Sequence, residues 1–195
     1  MSDANEQATE QTRRMSRDEL CERVVRLAFG GDRARWDGFV EAIRRAIPPD
    51  VTVVLRGSAV TGRRWENGSP FDADGPGTSD LDLTLVGGAM LEVYDEFYIP
   101  ALHSVPLSDE HPEAAPTLLP LRRALCALAG RPVNIQATSD LVQYGRDVLM
   151  DQPYFVILDK EERAHEVAEW ERDVAARRRE REREEMRGAG AGGGL

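Results

Sequence analysis

No stretch of the chain approaches the roughly 20 consecutive apolar residues needed to cross a bilayer. The opening MSDANEQATEQTRR also lacks the apolar core of a secretory signal. No membrane partner is expected, and the expected location is cytoplasmic. Cysteine is scarce. Cys21 and Cys126 are far apart and sit among aliphatic neighbours (DELCERVV, RALCALAG), which reads as two buried free thiols rather than a disulfide or a catalytic thiol. Positive charge is in deficit, with 25 Lys plus Arg against 35 Asp plus Glu and a net charge of -10. The deficit is concentrated in residues 51–159, where 7 basic residues face 15 acidic ones. A surface that grips a polynucleotide by neutralising phosphates needs the opposite sign, so long nucleic acid is not the expected partner. There is no Walker-type glycine loop, no nucleophile elbow, no internal repeat, and no metal-ligand spacing among His103, His111 and His165.

What is present suits one domain. The 195 residues, 41% hydrophobic and 31% charged, allow one real core and not two. Residues 1–15 are polar and aperiodic and are expected to be disordered. SRDELCERVVRLAFG spaces Leu20, Val24, Leu27 and Ala28 along one helical face, with Ser16 and Glu19 as a capping box and Gly30 or Gly31 as its end. RARWDGFVEAIRRAI gives a second amphipathic helix that stops at Pro48-Pro49. VTVVLRG reads as a strand, with a helix opening at residues 59–64, and WENGSPFDADGPGT as a long loop. LDLTLVG is a strand, AMLEVYDEFYIP a short helix and HSVPLSDEHPEAAP a proline-broken connection. TLLPLRRALCALAG is a helix ending on Gly130, RPVNIQATS a third strand and DLVQYGRDVLM a helix. The alternation predicts an α/β (α+β) fold, a small mixed sheet backed by helices on one face. The domain is expected over residues 16–158, with its strand-helix core at 51–158. A solvated, charge-balanced helix (RRREREREEMR) is expected over 159–187, followed by a flexible Gly-rich tail at 188–195.

The chemistry lies in GTSDLDLTLVG. Residues i and i+2 of a strand share a face, so Asp80 and Asp82 project together while Leu81, Leu83 and Leu85 project to the other side. Adjacent carboxylates raise each other's pKa and cost stability unless a cation sits between them. Mg²⁺, bound through one or two carboxylates plus substrate phosphates, suits the pair. A solvated sheet edge is the other reading of the same pattern. Upstream, VTVVLRG runs into Gly57-Ser58, where glycine permits close backbone approach and a helix start offers N–H groups to phosphate.

LRGSAVTG followed by SDLDLTLV, each on a strand, resembles the DNA polymerase beta-type nucleotidyltransferase superfamily over roughly residues 51–158. The resemblance implies a nucleotidyltransferase fold and a nucleoside triphosphate lying over Gly57 and Ser58. It also implies Mg²⁺ (or Mn²⁺) held by Asp80 and Asp82, and transfer of a nucleoside monophosphate to an acceptor with loss of pyrophosphate. Arg63 and Arg64 are placed to reach the phosphate tail, and read equally well as surface arginines. The acceptor is left open among a protein side chain, an RNA end and a small molecule.

The chain departs from the family pattern twice. The loop WENGSPFDADGPGT lengthens the gap between Ser58 and Asp80, as a rim or lid over substrate would, with Asp72 and Asp74 either at an ion or in solvated turns. The family's third carboxylate falls on Asn134, in RPVNIQATS, with the uncharged Gln136 on the same strand face. An amide carries no charge and cannot take a proton from an acceptor hydroxyl. Asp140 is the candidate substitute, or else the cap of the next helix. Tyr144 and Gly145 lie where small family members place a helix followed by a short extended run, and Tyr144 is expected to be packed. The alternative function is a degenerate domain that binds nucleotide or a partner protein without turnover.

Overall fold

The three segments expected as strands, VTVVLRG, LDLTLVG and RPVNIQATS, supply three strands of a four-stranded mixed sheet. The computed structural model describes residues 3–99, 104–147, 150 and 152–190. Strands β1 (Thr52–Arg56), β2 (Leu81–Val86), β3 (Val133–Thr138) and β4 (Phe155–Leu158) lie in the order β3-β2-β1-β4. β1 runs antiparallel to both neighbours, and β2 pairs parallel with β3. β4 completes the sheet as the extended run that follows a helix, with a register shift opposite Val53 and Val54.

Eight helices accompany the strands among the described residues: α1 (Asp3–Arg13), α2 (Arg17–Ala28), α3 (Arg33–Ala46), α4 (Ser58–Thr61), α5 (Gly88–Leu91), α6 (Leu119–Ala129), α7 (Leu141–Asp147) and α8 (Val167–Gly190). The Ser16/Glu19 capping box opens α2, and Gly130, in the left-handed conformation, closes α6. The odd-numbered residues of β2 and β3, with Val53 and Leu55 of β1, are buried in one core with Val24, Trp36, Phe39, Ile43 and Leu125 of α2, α3 and α6. Trp36 stacks on Phe155 of β4, with ring centroids 6.2 Å apart. The free edge of β3 is covered by the proline-broken connection, where Leu107 and Ile135 exchange backbone hydrogen bonds of 2.8 and 3.1 Å. That closes an edge otherwise open to strand addition.

Several expectations are corrected. Helices do not confine themselves to one face of the sheet, because Tyr144 of α7 is fully buried over the other face, its hydroxyl 3.2 Å from Thr84 Oγ1 and donating to Gln136 Oε1 at 3.0 Å. The N-terminal segment expected to be disordered forms α1, docked by polar contacts. Asn5 Nδ2 donates to Trp65 O at 2.9 Å, and Thr12 Oγ1 accepts from Arg23 Nη1 at 2.8 Å. The helix expected at residues 59–64 is the single turn α4, which ends on the left-handed Gly62. The helix expected in AMLEVYDEFYIP divides into α5 and a separate 3-10 turn, Glu96–Tyr98, restarted by the Asp95 carboxylate on Phe97 N. The charged C-terminal helix begins at Val167 rather than near Asp159. Before it, buried Arg163 donates to the carbonyls of Arg44, Ile47 and Pro48 and so satisfies the end of α3. α8 runs to Gly190, into the segment expected to be a flexible tail, and residues 191–195 lie outside the described residues. Both cysteines are free thiols, half-buried rather than buried. No helix among the described residues is long and apolar enough to cross a membrane.

Candidate functional site

The register of the sheet builds the site. Arg56 pairs with Asp82 across β1 and β2, and Asp82 with Asn134 across β2 and β3, so the three side chains share the face opposite the apolar core. Two residue pairs further along, Thr84 stands beside Gln136 on the same face. Asp80 joins the group from the residue before the strand. Asn134 Nδ2 donates to Asp80 Oδ2 at 2.6 Å and to Asp82 Oδ1 at 3.2 Å. The two carboxylates expected to lie together are therefore together, bridged by the amide that occupies the third position.

Gly57 joins β1 to α4 with φ +80°, and a Cβ built there would stand 3.1 Å from Asp82 Oδ2. Both the positive φ and that close approach call for glycine. α4 is too short to carry much of a dipole, so the anion attraction expected from a helix start is reduced to the backbone of the Gly57-Ser58 turn itself. Gly57, Ser58, Asp80 and Asp82 line one cleft of about 540 Å³, together with Arg56, Arg64, Trp65, Glu66 and Gln152.

The other expected residues separate. Arg64 lines the cleft and pairs with Asp74, which lines it as well. Arg63 turns into the inserted loop, its Nη1 donating to Gly68 O at 2.8 Å. Asp72 is held by Arg131, with bonds of 2.8 and 3.1 Å, and accepts from the N–H groups of Gly77 and Ser79. It is a structural clasp rather than an ion ligand. Asp140 caps α7 by accepting from Gln143 N at 3.0 Å and does not line the cleft. His111 pairs with Glu113, and His103 lies outside the described residues.

Arg56 is the residue that sequence reasoning missed. Its Nη2 donates to Gln136 Oε1 at 2.5 Å, its Nη1 lies 3.7 Å from Asp82 Oδ2, and its buried Nε has no hydrogen-bond partner. Its place directly before Gly57 was visible, but the face it shares with Asp82 follows only from the strand register. Burial, reinforced by the charges of Asp80 and Glu66, holds the Asp82 carboxyl above the usual aspartate range, against the pull of Arg56 and Asn134.

Among the described residues no three His, Cys, Asp or Glu side chains converge into a metal-holding group. Two hard carboxylates that fall short of a full cage fit a divalent cation whose remaining ligands come from phosphate oxygens and water. No family model, curated protein or solved structure matches the chain.

Proposed function

We propose that the protein is a metal-dependent nucleotidyltransferase that moves a nucleoside monophosphate from a nucleoside triphosphate to an acceptor. The observation that carries this reading is the pairing of Asp80 and Asp82 at the end of β2, in one cleft with the Gly57-Ser58 turn. Asp80 and Asp82 would hold Mg²⁺ or Mn²⁺, which when bound neutralises phosphate charge and polarises the phosphorus under attack. The turn lets the triphosphate approach the backbone, and Arg64, once released from Asp74, offers a guanidinium to its tail. The acceptor oxygen bonds to the α-phosphorus as the bond to the bridging oxygen breaks, and pyrophosphate leaves. Asn134 cannot take the acceptor proton. Glu66 and Asp74, exposed carboxylates that line the same cleft, are left to receive it.

A second reading is supported by the contacts of the aspartate pair. Asn134 donates to both carboxylates, and Arg56 adds positive charge beside Asp82, so the pair is partly compensated without metal. This suits a domain that binds nucleotide or a partner protein and does not turn over. Transfer of labelled nucleotide, with each triphosphate, Mg²⁺ or Mn²⁺ and the host's proteins and RNA as acceptors, separates the two readings. An enzyme adapted to asparagine is active as wild type and loses activity in Asn134→Ala, while Asn134→Asp is neutral or harmful. A degenerate domain is inactive as wild type and gains transfer in Asn134→Asp, where the restored carboxylate is worth about 10²- to 10⁴-fold in rate. Absence of transfer in all three variants under every condition would reject the enzyme reading.

A further inference from the structure

Beside its charged side chains the cleft carries an aromatic residue with no assigned role. Among the described residues that line it, Trp65 alone bears an aromatic ring. Trp65 belongs to the inserted loop, is half-buried, and takes no part in the hydrophobic core. Trp65 also borders a groove along α1, with Glu6, Glu10 and Met150, so the residue stands between α1 and the cleft.

The loop is fixed. Asn5, 5% exposed, donates from Nδ2 to Trp65 O at 2.9 Å and to Arg64 O at 3.4 Å, so α1 clamps the backbone on which the indole stands. Arg64 N donates to Ser69 O at 2.8 Å, and Gly68 N to Arg64 O at 2.9 Å, closing the turn around it. A platform held before ligand arrives loses little entropy on binding. Gln152, whose side-chain amide offers both donor and acceptor, lines the same cleft. The volume of about 540 Å³ falls within the range of small-molecule sites.

We propose that Trp65 and Gln152 form a base subsite, so that the cleft takes a purine nucleoside triphosphate, its base stacked on the indole and its phosphates toward Asp80 and Asp82. This rests on the reading of the aspartate pair as the phosphate end. A bare polyphosphate would gain nothing from the indole, whereas every nucleobase has a face to stack, and the larger purine covers more of the ring.

The test is calorimetry on the full chain with Mg²⁺ and three probes: ATP, UTP and inorganic tripolyphosphate. Wild type binds ATP about tenfold or more tighter than tripolyphosphate, as one stacked base supplies, and tighter than UTP. Trp65→Ala removes the advantage of ATP and leaves tripolyphosphate binding in place, which also shows that the variant is folded. Trp65→Phe retains most of the advantage. If Trp65→Ala weakens both probes equally, or leaves ATP binding unchanged, the base subsite is overturned. Equal binding of ATP and tripolyphosphate by wild type overturns the subsite and spares the phosphate end, and equal binding of ATP and UTP overturns the purine preference. If wild type binds none of the three, the phosphate end fails and the subsite with it.

Discussion

Asp72 and Asp82 are ten residues apart, partly buried, and each faces an arginine, yet their surroundings drive them in opposite directions. Asp72 receives a bidentate guanidinium and two backbone N–H groups. Although burial pushes the other way, Arg131 and those N–H groups hold its carboxyl down at about 2. Asp82 has a looser arginine at 3.7 Å, shares one amide with Asp80, and is held above the usual aspartate range by burial and by its neighbour's charge. A carboxylate that serves the fold is fully answered within the protein. One left under-compensated at the wall of a cleft stores free energy that a cation can recover, as expected of a functional site.

The largest effect expected from this contrast is on stability at Asp72. Asp72→Ala leaves Arg131, whose side chain is 7% exposed, without its carboxylate and strands two backbone donors. The loss should be about 3–5 kcal/mol in urea unfolding. A loss below about 1 kcal/mol would erase the distinction drawn here.

Acid unfolding gives the next effect. The folded pKa of Asp72 is depressed, so its contribution is present above the unfolded value near pH 4 and disappears as pH falls toward 2. The depression corresponds to about 2 kcal/mol, and Asp72→Asn should abolish this part of the pH dependence. Asp82 acts with the opposite sign. Its folded pKa is raised, so protonation favours the folded state, and stability falls as pH rises from the unfolded value through the folded one.

The smallest effect is the metal-free stability of Asp82→Asn. Loss of a loose ion pair is offset by relief of repulsion from Asp80, so the variant should stay within about 1 kcal/mol of wild type. A large destabilisation in thermal melts would make Asp82 another structural clasp and collapse the comparison.

Much of this was legible from the chain. The parity of Asp80 and Asp82 against Leu81, Leu83 and Leu85, the Ser16/Glu19 box and the Gly130 stop are local patterns, and local patterns survive folding. Asn134 was placed by its position in VNIQAT, and the register opposite Asp82 puts it in contact. What was not legible depends on contacts between distant segments. α1 shows no apolar stripe because buried Asn5 and Thr12 dock it through hydrogen bonds to residues far along the chain. Arg63 and Arg64 are adjacent in sequence, but the turn sends one guanidinium to Gly68 and the other to Asp74 at the cleft. Asp72 resembled a solvated turn residue because its partner, Arg131, is 59 residues away.

Whether Asp80 and Asp82 hold a metal-bound triphosphate is decided by calorimetric titration of the full chain with nucleoside triphosphates, in Mg²⁺ and again in excess chelator. The comparison is wild type against the Asp80→Ala, Asp82→Ala double variant. A metal-bridged site gives binding by wild type that disappears with chelator and is absent from the double variant, whose metal-free stability matches or exceeds that of wild type. Binding that is independent of metal and unchanged in the double variant would contradict it.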